Sequence, residues 1–123
     1  MIDTVVEAMF ERPFQLWRYS VSHGQLLFRS TAGDGRRTRV DVLFTNVSAM
    51  LVRASYDRLV IRSARPDEEV RINEATGEPA GPHARYYVID GEPLSFVVAG
   101  AVASAEDEGG YAEPSTLLSE PSL

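Results

Sequence analysis

The chain contains no cysteine, and this absence excludes three kinds of chemistry. Its 123 residues offer no thiol for a disulfide, for a thiolate metal site or for a cysteine nucleophile. Histidine is scarce as well, because His23 and His83 are the only two and lie far apart in sequence. Neither a His-Glu-x-x-His motif nor an aspartate-rich calcium loop is present. The sequence therefore predicts no metal site and no bound cofactor.

Long hydrophobic runs are also missing. The apolar runs are far shorter than the stretch of about 18 residues that indicates a transmembrane helix. Residues 1–4 lack the basic segment that opens a secretory signal. We therefore expect a cytoplasmic protein without a membrane span. Hydrophobic residues make up 44% of the chain and charged residues 24%, which is typical of a globular domain and not of a disordered chain.

Lysine is absent, so all twelve basic residues are arginines, and the charge is unevenly distributed. Residues 12–65 carry a net charge of +7, whereas residues 66–123 carry −10 and residues 1–11 carry −3. We expect the oppositely charged segments to attract each other and to form ion pairs within the chain. The alternative is an arginine-rich face that binds an anion. The overall charge of −6 argues against tight non-specific binding to nucleic acid, which depends on phosphate neutralisation.

Alternation of apolar and polar residues predicts six or seven strands joined mostly by short turns. The strand-like segments are residues 14–22, 25–31, 38–47, 49–54, 58–63, 85–89 and 94–102. Turn residues at His23-Gly24 and at Asp90-Gly91 favour two hairpins. The layout predicts a mainly β (α+β) domain, in which an antiparallel sheet curls into a barrel or packs as a sandwich, with one or two short helices.

The two ends of the chain are expected to differ from this pattern. Residues 2–11 fit a strand or a short helix, and the helical spacing of their apolar residues favours a helix or an irregular arm. Pro66 predicts a short helix that continues to Glu74 or Ala75 and is stopped by Thr76-Gly77, and the alternative is a brief strand over residues 70–72. From residue 104 onward small and acidic residues replace the apolar pattern. We therefore expect one globular domain over residues 1–103 and a flexible acidic tail over residues 104–123.

Three segments have a familiar appearance when they are taken together: Trp17 to Ser30, Arg39 to Phe44, and Tyr86 to Val102 followed by acidic residues. In these segments the chain resembles a group of small actinobacterial proteins that have no assigned activity. The resemblance covers most of the chain and implies one complete domain. It implies no activity, partner or binding site.

Catalysis by a nucleophile needs a base and an orienting group, and the sequence offers only a weak arrangement of this kind. His23 follows Ser20 and Ser22, and Asp41 lies on a neighbouring predicted strand. Adjacent strand residues point to opposite faces, so we do not expect Ser22 and His23 to pair. We expect His23 to be an exposed turn residue, and no catalytic residue is assigned.

A face of aromatic and arginine side chains is the candidate ligand-binding site, because such side chains stack on planar groups and bind anions. The candidate residues are Trp17, Arg18, Tyr19, His23, Arg29, Arg39 and Asp41. The alternative is that the aromatic residues form the core of the domain. Trp17 and Arg18 cannot share one side of a regular strand, so the set is not expected to form one flat platform.

These observations favour a non-enzymatic binding or interaction module, with an unidentified protein or an anionic ligand as its partner. The acidic tail would fold over the arginine-rich face and compete with that partner, and the module could form a homodimer. One alternative is a small-molecule-binding β-barrel, which could be a small enzyme in which His23, Asp41 or Arg18 converge on the ligand. A further alternative is a nucleic-acid binder.

Overall fold

The structure is a computed structural model and describes residues 6–77, 79–90 and 93–118. In these residues the chain forms one helix and ten strands. The elements are β1 (Val6–Phe10), β2 (Phe14–Ser20), β3 (Gln25–Ser30), β4 (Arg39–Thr45), β5 (Ala49–Leu51), β6 (Ser55–Tyr56), β7 (Leu59–Ser63), α1 (Pro66–Thr76), β8 (Arg85–Ile89), β9 (Ser95–Ala99) and β10 (Ala101–Asp107). The mainly β class predicted from the sequence is confirmed, but the predicted count of six or seven strands is too low, since the described residues form ten.

The strands form two five-stranded antiparallel sheets. Sheet A has the order β1-β7-β8-β9-β5, and sheet B has the order β10-β4-β3-β2-β6. Both are open sheets with edge strands, and the described residues form no closed barrel, so the barrel alternative is wrong.

One hydrophobic core lies between the two sheets. Alternate residues of each strand point into it, as the two-residue period of a strand requires. Sheet B contributes Phe14, Leu26, Phe28, Val40, Val42 and Phe44, and sheet A contributes Leu59, Ile61, Tyr87, Ile89, Val97 and Ala99. The remaining residues of these strands belong to the outer faces of the two sheets, and it is there that candidate sites must be sought.

Helix α1 covers part of the outer face of sheet A. Its buried Ile72 packs with Val88, Phe96 and Val98, which form a second small apolar cluster. The helix has proline in its first turn and ends at Gly77, whose left-handed conformation (φ 91°) stops it. The helix predicted to start at Pro66 is therefore present and includes Thr76, slightly beyond the predicted end, and the alternative of a strand over residues 70–72 is wrong.

The expectation of a helix or an irregular arm near the N-terminus is wrong for the described residues. Residues 6–10 form β1, which pairs antiparallel with β7. Ala8 and Phe10 pack against the core, whereas Val6 and Met9 are more than half exposed. The alternation of the buried Ala8 and Phe10 therefore matches the observed strand, whereas the helical spacing of the apolar residues in this segment does not. The predicted residues 2–5 lie outside the described part of the chain.

The apolar segment predicted as one central strand is divided at Gly100 between the two sheets. β9 ends before this glycine in sheet A, and β10 begins after it in sheet B. The Gly100 amide donates to the Thr45 carbonyl at 2.8 Å, and a Cβ at Gly100 would approach the Asn46 side chain to 3.1 Å. This close approach favours glycine at the crossing. β10 then continues to Asp107, inside the segment predicted to be a tail from Ser104.

A buried ion pair connects sheet A with the start of α1. Arg62 binds both carboxylate oxygens of Glu68 at 2.8 Å, and the Arg65 amide donates to the same carboxylate at 2.8 Å. These hydrogen bonds, the one from Arg62 above all, lower the pKa of Glu68 to about 2. The acidic first turn of the helix thus has a specific partner on the neighbouring strand.

We expect this pair to make the protein less stable in acid. The unfolded carboxyl titrates near 4.5 and the folded one near 2, so the stabilisation is complete above pH 4.5 and is lost as the pH falls towards 2. The free energy of unfolding should fall by about 2 kcal/mol over this pH range, after allowance for solvent screening. Urea unfolding measured between pH 6 and pH 2.5 should show this decrease, and Glu68→Gln should flatten it. Equal pH dependence in Glu68→Gln and in the control Glu74→Gln would contradict the assignment.

Candidate functional site

The candidate site lies on the outer face of sheet B, the face turned away from the core. Five side chains of β3 and β4 on this face are nearly inaccessible: Leu27, Arg29, Arg39, Asp41 and Leu43, each at most 3% exposed. Charged residues are rarely buried unless they are paired. Another part of the chain must therefore cover this face and supply partners for its charges.

Arg29 and Asp41 form a buried ion pair across two neighbouring strands. They lie opposite each other in the register of β3 and β4. Arg29 donates to the two carboxylate oxygens of Asp41 through Nε at 2.7 Å and through Nη2 at 3.1 Å. This two-pronged geometry is the strongest arrangement for a guanidinium and a carboxylate. Nη1 of Arg29 points elsewhere and donates to the carbonyl of Tyr111 at 3.0 Å.

Arg39 forms a second ion pair, with Asp107 directly opposite it on β10. Its Nε and Nη2 lie 2.8 and 3.3 Å from the two carboxylate oxygens. The hydrogen bond between them lowers the pKa of Asp107 and raises the pKa of Arg39. The other N–H groups of Arg39 donate to the carbonyls of Gly110 at 3.0 Å, Glu113 at 2.6 Å and Pro114 at 3.1 Å.

Residues 108–118, which we call the covering segment, thus lie over the outer face of sheet B. The segment has turns but no strand or helix of its own. It approaches the sheet so closely at Gly109 that a Cβ there would lie 2.5 Å from the Arg39 guanidinium. The Gly109 amide also donates to Asp107 at 2.8 Å. Side chains of the sheet therefore hold the segment mainly by its backbone.

Trp17 provides an aromatic contact on the same face. The Arg29 guanidinium carbon lies 5.1 Å from the centre of the indole ring, within the range of a cation–π interaction. The ring of Tyr111 meets the indole edge-on, with the ring centres 5.0 Å apart. Tyr111 is otherwise 69% exposed, so this contact fixes a side chain that has little other cover.

A β-bulge in β2 explains how Trp17 reaches this face. Leu16 pairs with Phe28 of the core, whereas Arg18 pairs with Leu27 of the outer face. The extra residue, Trp17, breaks the alternation. The expectation that Trp17 and Arg18 must lie on opposite sides is therefore wrong, because it assumed a regular strand.

The remaining candidates do not join the buried group. Arg18 is exposed, and Tyr19 is 38% exposed beyond the bulge. His23 lies exposed in the turn after β2, where its Nδ1 is 3.0 Å from the Ser20 hydroxyl and 3.3 Å from that of Ser22. The expectation that Ser22 and His23 do not pair is wrong, because these residues form a turn and not a strand.

The structure thus brings four of the seven candidates into one network, namely Trp17, Arg29, Arg39 and Asp41. Sequence reasoning missed Asp107 and Tyr111, which complete the network. Asp107 belongs to β10, and Tyr111 belongs to the covering segment. One signal was available. Arg29 and Arg39 alternate with core residues on their strands, so they need hydrogen-bond acceptors if they are buried. The acidic segment near the C-terminus can supply such acceptors.

Other arginines of the basic segment also bind acidic residues of the same chain. Arg58 lies 2.9 Å from Glu11, and the exposed Arg37 lies 4.0 Å from Glu108. Together with the Arg62–Glu68 pair, these contacts show that much of the segregated charge is compensated within the fold. Among the described residues, no group of three or more histidine, aspartate or glutamate side chains is arranged to hold a metal ion.

Comparisons with protein-family models, curated proteins and solved structures find no match for this chain. The resemblance to small actinobacterial proteins therefore stays a prediction. No helix in the described part of the chain is long and apolar enough to cross a bilayer.

Proposed function

We propose that the protein is a non-enzymatic interaction module that binds an extended acidic peptide on the outer face of sheet B. The covering segment is then an internal ligand that occupies this face in the absence of a partner. One observation carries the proposal: two buried arginines direct four N–H groups at backbone carbonyls of residues 110–114.

The mode of contact supports recognition of a peptide. Carbonyl oxygens are common to every peptide, so the hydrogen bonds of Arg29 and Arg39 fix the path of a segment without fixing its sequence. Selectivity then comes from two further contacts: an aromatic side chain on Trp17, and carboxylates near the arginines. In the covering segment these are supplied by Tyr111 and by Glu113, whose carboxylate charge acts on Arg39.

The covering segment is suited to exchange with a competitor. It has no strand ladder to the sheet, and a segment held mainly by side chains opens more easily than a core strand. Attachment to the same chain gives it an effective concentration that is typically in the millimolar range. A partner must therefore bind to the face more tightly than the covering segment does, or bind to a chain in which the contacts of the covering segment are weakened. Exchange between two copies would give a homodimer through the same contacts.

The proposal is tested with a variant that ends at Glu108, which keeps β10 and Asp107 but removes the contacts of residues 109–118. A fluorescein-labelled peptide of residues 108–118 is titrated with each protein, and fluorescence anisotropy is recorded at low salt. We expect the shortened protein to bind at least tenfold more tightly than the full chain, because its face is vacant. Added salt should weaken the binding.

The full chain with Tyr111→Ala serves as a second test, since shortening could unfold the protein. Loss of the Trp17 contact should weaken the covering segment and increase binding of the labelled peptide, and the emission of the single tryptophan should shift. Tyr19→Ala is the matched control and should behave as the unaltered protein. If neither the shortened chain nor Tyr111→Ala binds the peptide while circular dichroism shows a folded protein, the proposal is overturned.

A further inference from the structure

A cavity of about 490 Å³ lies on the opposite side of the molecule, on the outer face of sheet A. Helix α1 packs over β8 and buries the outer face of β9, but it leaves β5 partly uncovered, with Leu51 55% exposed. Phe96 and Val98 of β9 form the floor together with Ala49 and Leu51 of β5, which pair with them. The C-terminal end of α1 and residues 79–81 form the opposite wall.

The described residues that line this cavity are uncharged. None of these thirteen residues is acidic or basic, although 24% of the chain is charged. The floor is apolar, and the half-buried aromatic ring of Tyr86 lines the cavity beside it. A charged ligand would lose its hydration here without gaining an ion pair, which is costly. The lining therefore favours an uncharged ligand with a planar apolar part.

One polar group in the cavity is held in a fixed orientation. The Tyr86 hydroxyl donates to the side-chain oxygen of Asn73 at 2.6 Å and accepts a hydrogen bond from the Ala80 amide at 2.9 Å. Because the amide oxygen of Asn73 faces Tyr86, its Nδ2 group must point away from Tyr86. No acceptor for Nδ2 occurs among the described residues, so the amide presents a donor at the wall of the cavity.

We propose that this cavity binds an uncharged, largely apolar small molecule with a planar ring and one hydrogen-bond acceptor. The ring packs against Leu51 and Tyr86, above the buried Phe96 and Val98, and the acceptor receives a hydrogen bond from Asn73. The cavity volume lies in the range of small-molecule sites, which is roughly 300–1,000 Å³. The site is independent of the proposed peptide-binding face, because it lies on the other sheet and shares no residue with that face.

The test uses Nile red, a neutral planar dye with a carbonyl acceptor, as the probe. The full chain is titrated with the dye, and we expect a saturable rise in fluorescence with one site per chain. Amide shifts in ¹H–¹⁵N NMR spectra should concentrate in residues 48–51 and 73–77. The absence of saturable binding, or shifts confined to other residues, would overturn the proposal.

Two variants address the mechanism of binding. Asn73→Asp keeps the acceptor for Tyr86 but replaces the donor nitrogen with a charged oxygen, and Ala49→Phe fills the floor. Each should weaken dye binding at least tenfold, whereas Asn46→Asp, the same chemical change outside the cavity, should leave it unchanged. Thermal unfolding verifies that the variants are folded. Equal dye binding by all folded variants, or binding only to a dimer detected by sedimentation, would contradict the assignment.

Discussion

Asp41→Asn is expected to lower the free energy of unfolding by about 3–5 kcal/mol, because it leaves the Arg29 guanidinium buried without a counter-charge. Asp41 is completely buried and binds Arg29 through both carboxylate oxygens. An amide offers only one acceptor and brings an N–H donor close to the guanidinium. Urea unfolding, followed by circular dichroism and by Trp17 fluorescence, measures the loss.

Two comparisons isolate the cause of this loss. Asp34→Asn makes the same chemical change at a side chain that is 93% exposed, and it should alter the stability by less than about 0.5 kcal/mol. The double variant Arg29→Met, Asp41→Leu removes both charges and should recover most of the lost stability, as apolar replacement of buried ion pairs often does. An effect of Asp41→Asn no larger than that of Asp34→Asn would show that the pair does not stabilise the fold.

Arg39→Met should have the second largest effect, because one guanidinium binds Asp107 and three backbone carbonyls. We expect a loss of about 2–3 kcal/mol, since hydrogen bonds to a charged group each contribute about 1.5–3 kcal/mol and nearby water can replace some of them. The covering segment should open locally. Hydrogen exchange at its amides, including Gly109 and Leu117, should accelerate more than exchange in the core strands.

Arg37→Met is the matched control for this substitution. Arg37 lies two residues away, its side chain is 86% exposed, and its contact with Glu108 is long at 4.0 Å. We expect a change in stability of less than about 0.5 kcal/mol and unchanged hydrogen exchange in the covering segment. Uniformly faster exchange throughout the protein in Arg39→Met would mean that the segment is not an independent unit.

The central strands are predictable from the sequence, because their alternation reflects burial on one face. β8 has the predicted bounds, and β4 and β7 lie within the predicted segments. The helix is marked by Pro66 at its start and Gly77 at its end. β5 lies within the predicted strand of residues 49–54 but is shorter than predicted. The two-residue β6 is too short to show a period, and its pairing depends on tertiary contacts.

β10 could not be recognised as a strand for a different reason. It is an edge strand, and most of its residues are exposed or half-buried, so small and acidic side chains replace the apolar period. Its pairing depends on the backbone ladder to β4 and on cross-strand contacts such as the pair of Asp107 with Arg39. A ladder and a pair between residues so distant in sequence leave no local pattern.

Several residues of the candidate site could be predicted from the sequence, but their arrangement in space could not. Trp17, Arg29, Arg39 and Asp41 stand out as charged and aromatic residues on predicted strands. The bulge at Trp17 and the approach of the covering segment are tertiary features, and they decide which of the seven candidates meet. The charge distribution favours the acidic C-terminal segment as the one that folds over the arginine-rich face, but it does not indicate which of its residues contact Arg29 and Arg39.

The charged outer face of sheet B has a consequence during synthesis of the chain. β4 pairs with β10, whose residues follow it in the chain by 56 to 68 positions, so β4 is an unpaired edge until the ribosome has made that strand. An exposed edge of this kind recruits other chains, and charged side chains discourage such pairing. Arg39 and Asp41 place opposite charges on this temporary edge. We therefore expect Arg39, which later anchors the covering segment, to discourage pairing of this edge with other chains until β10 is made.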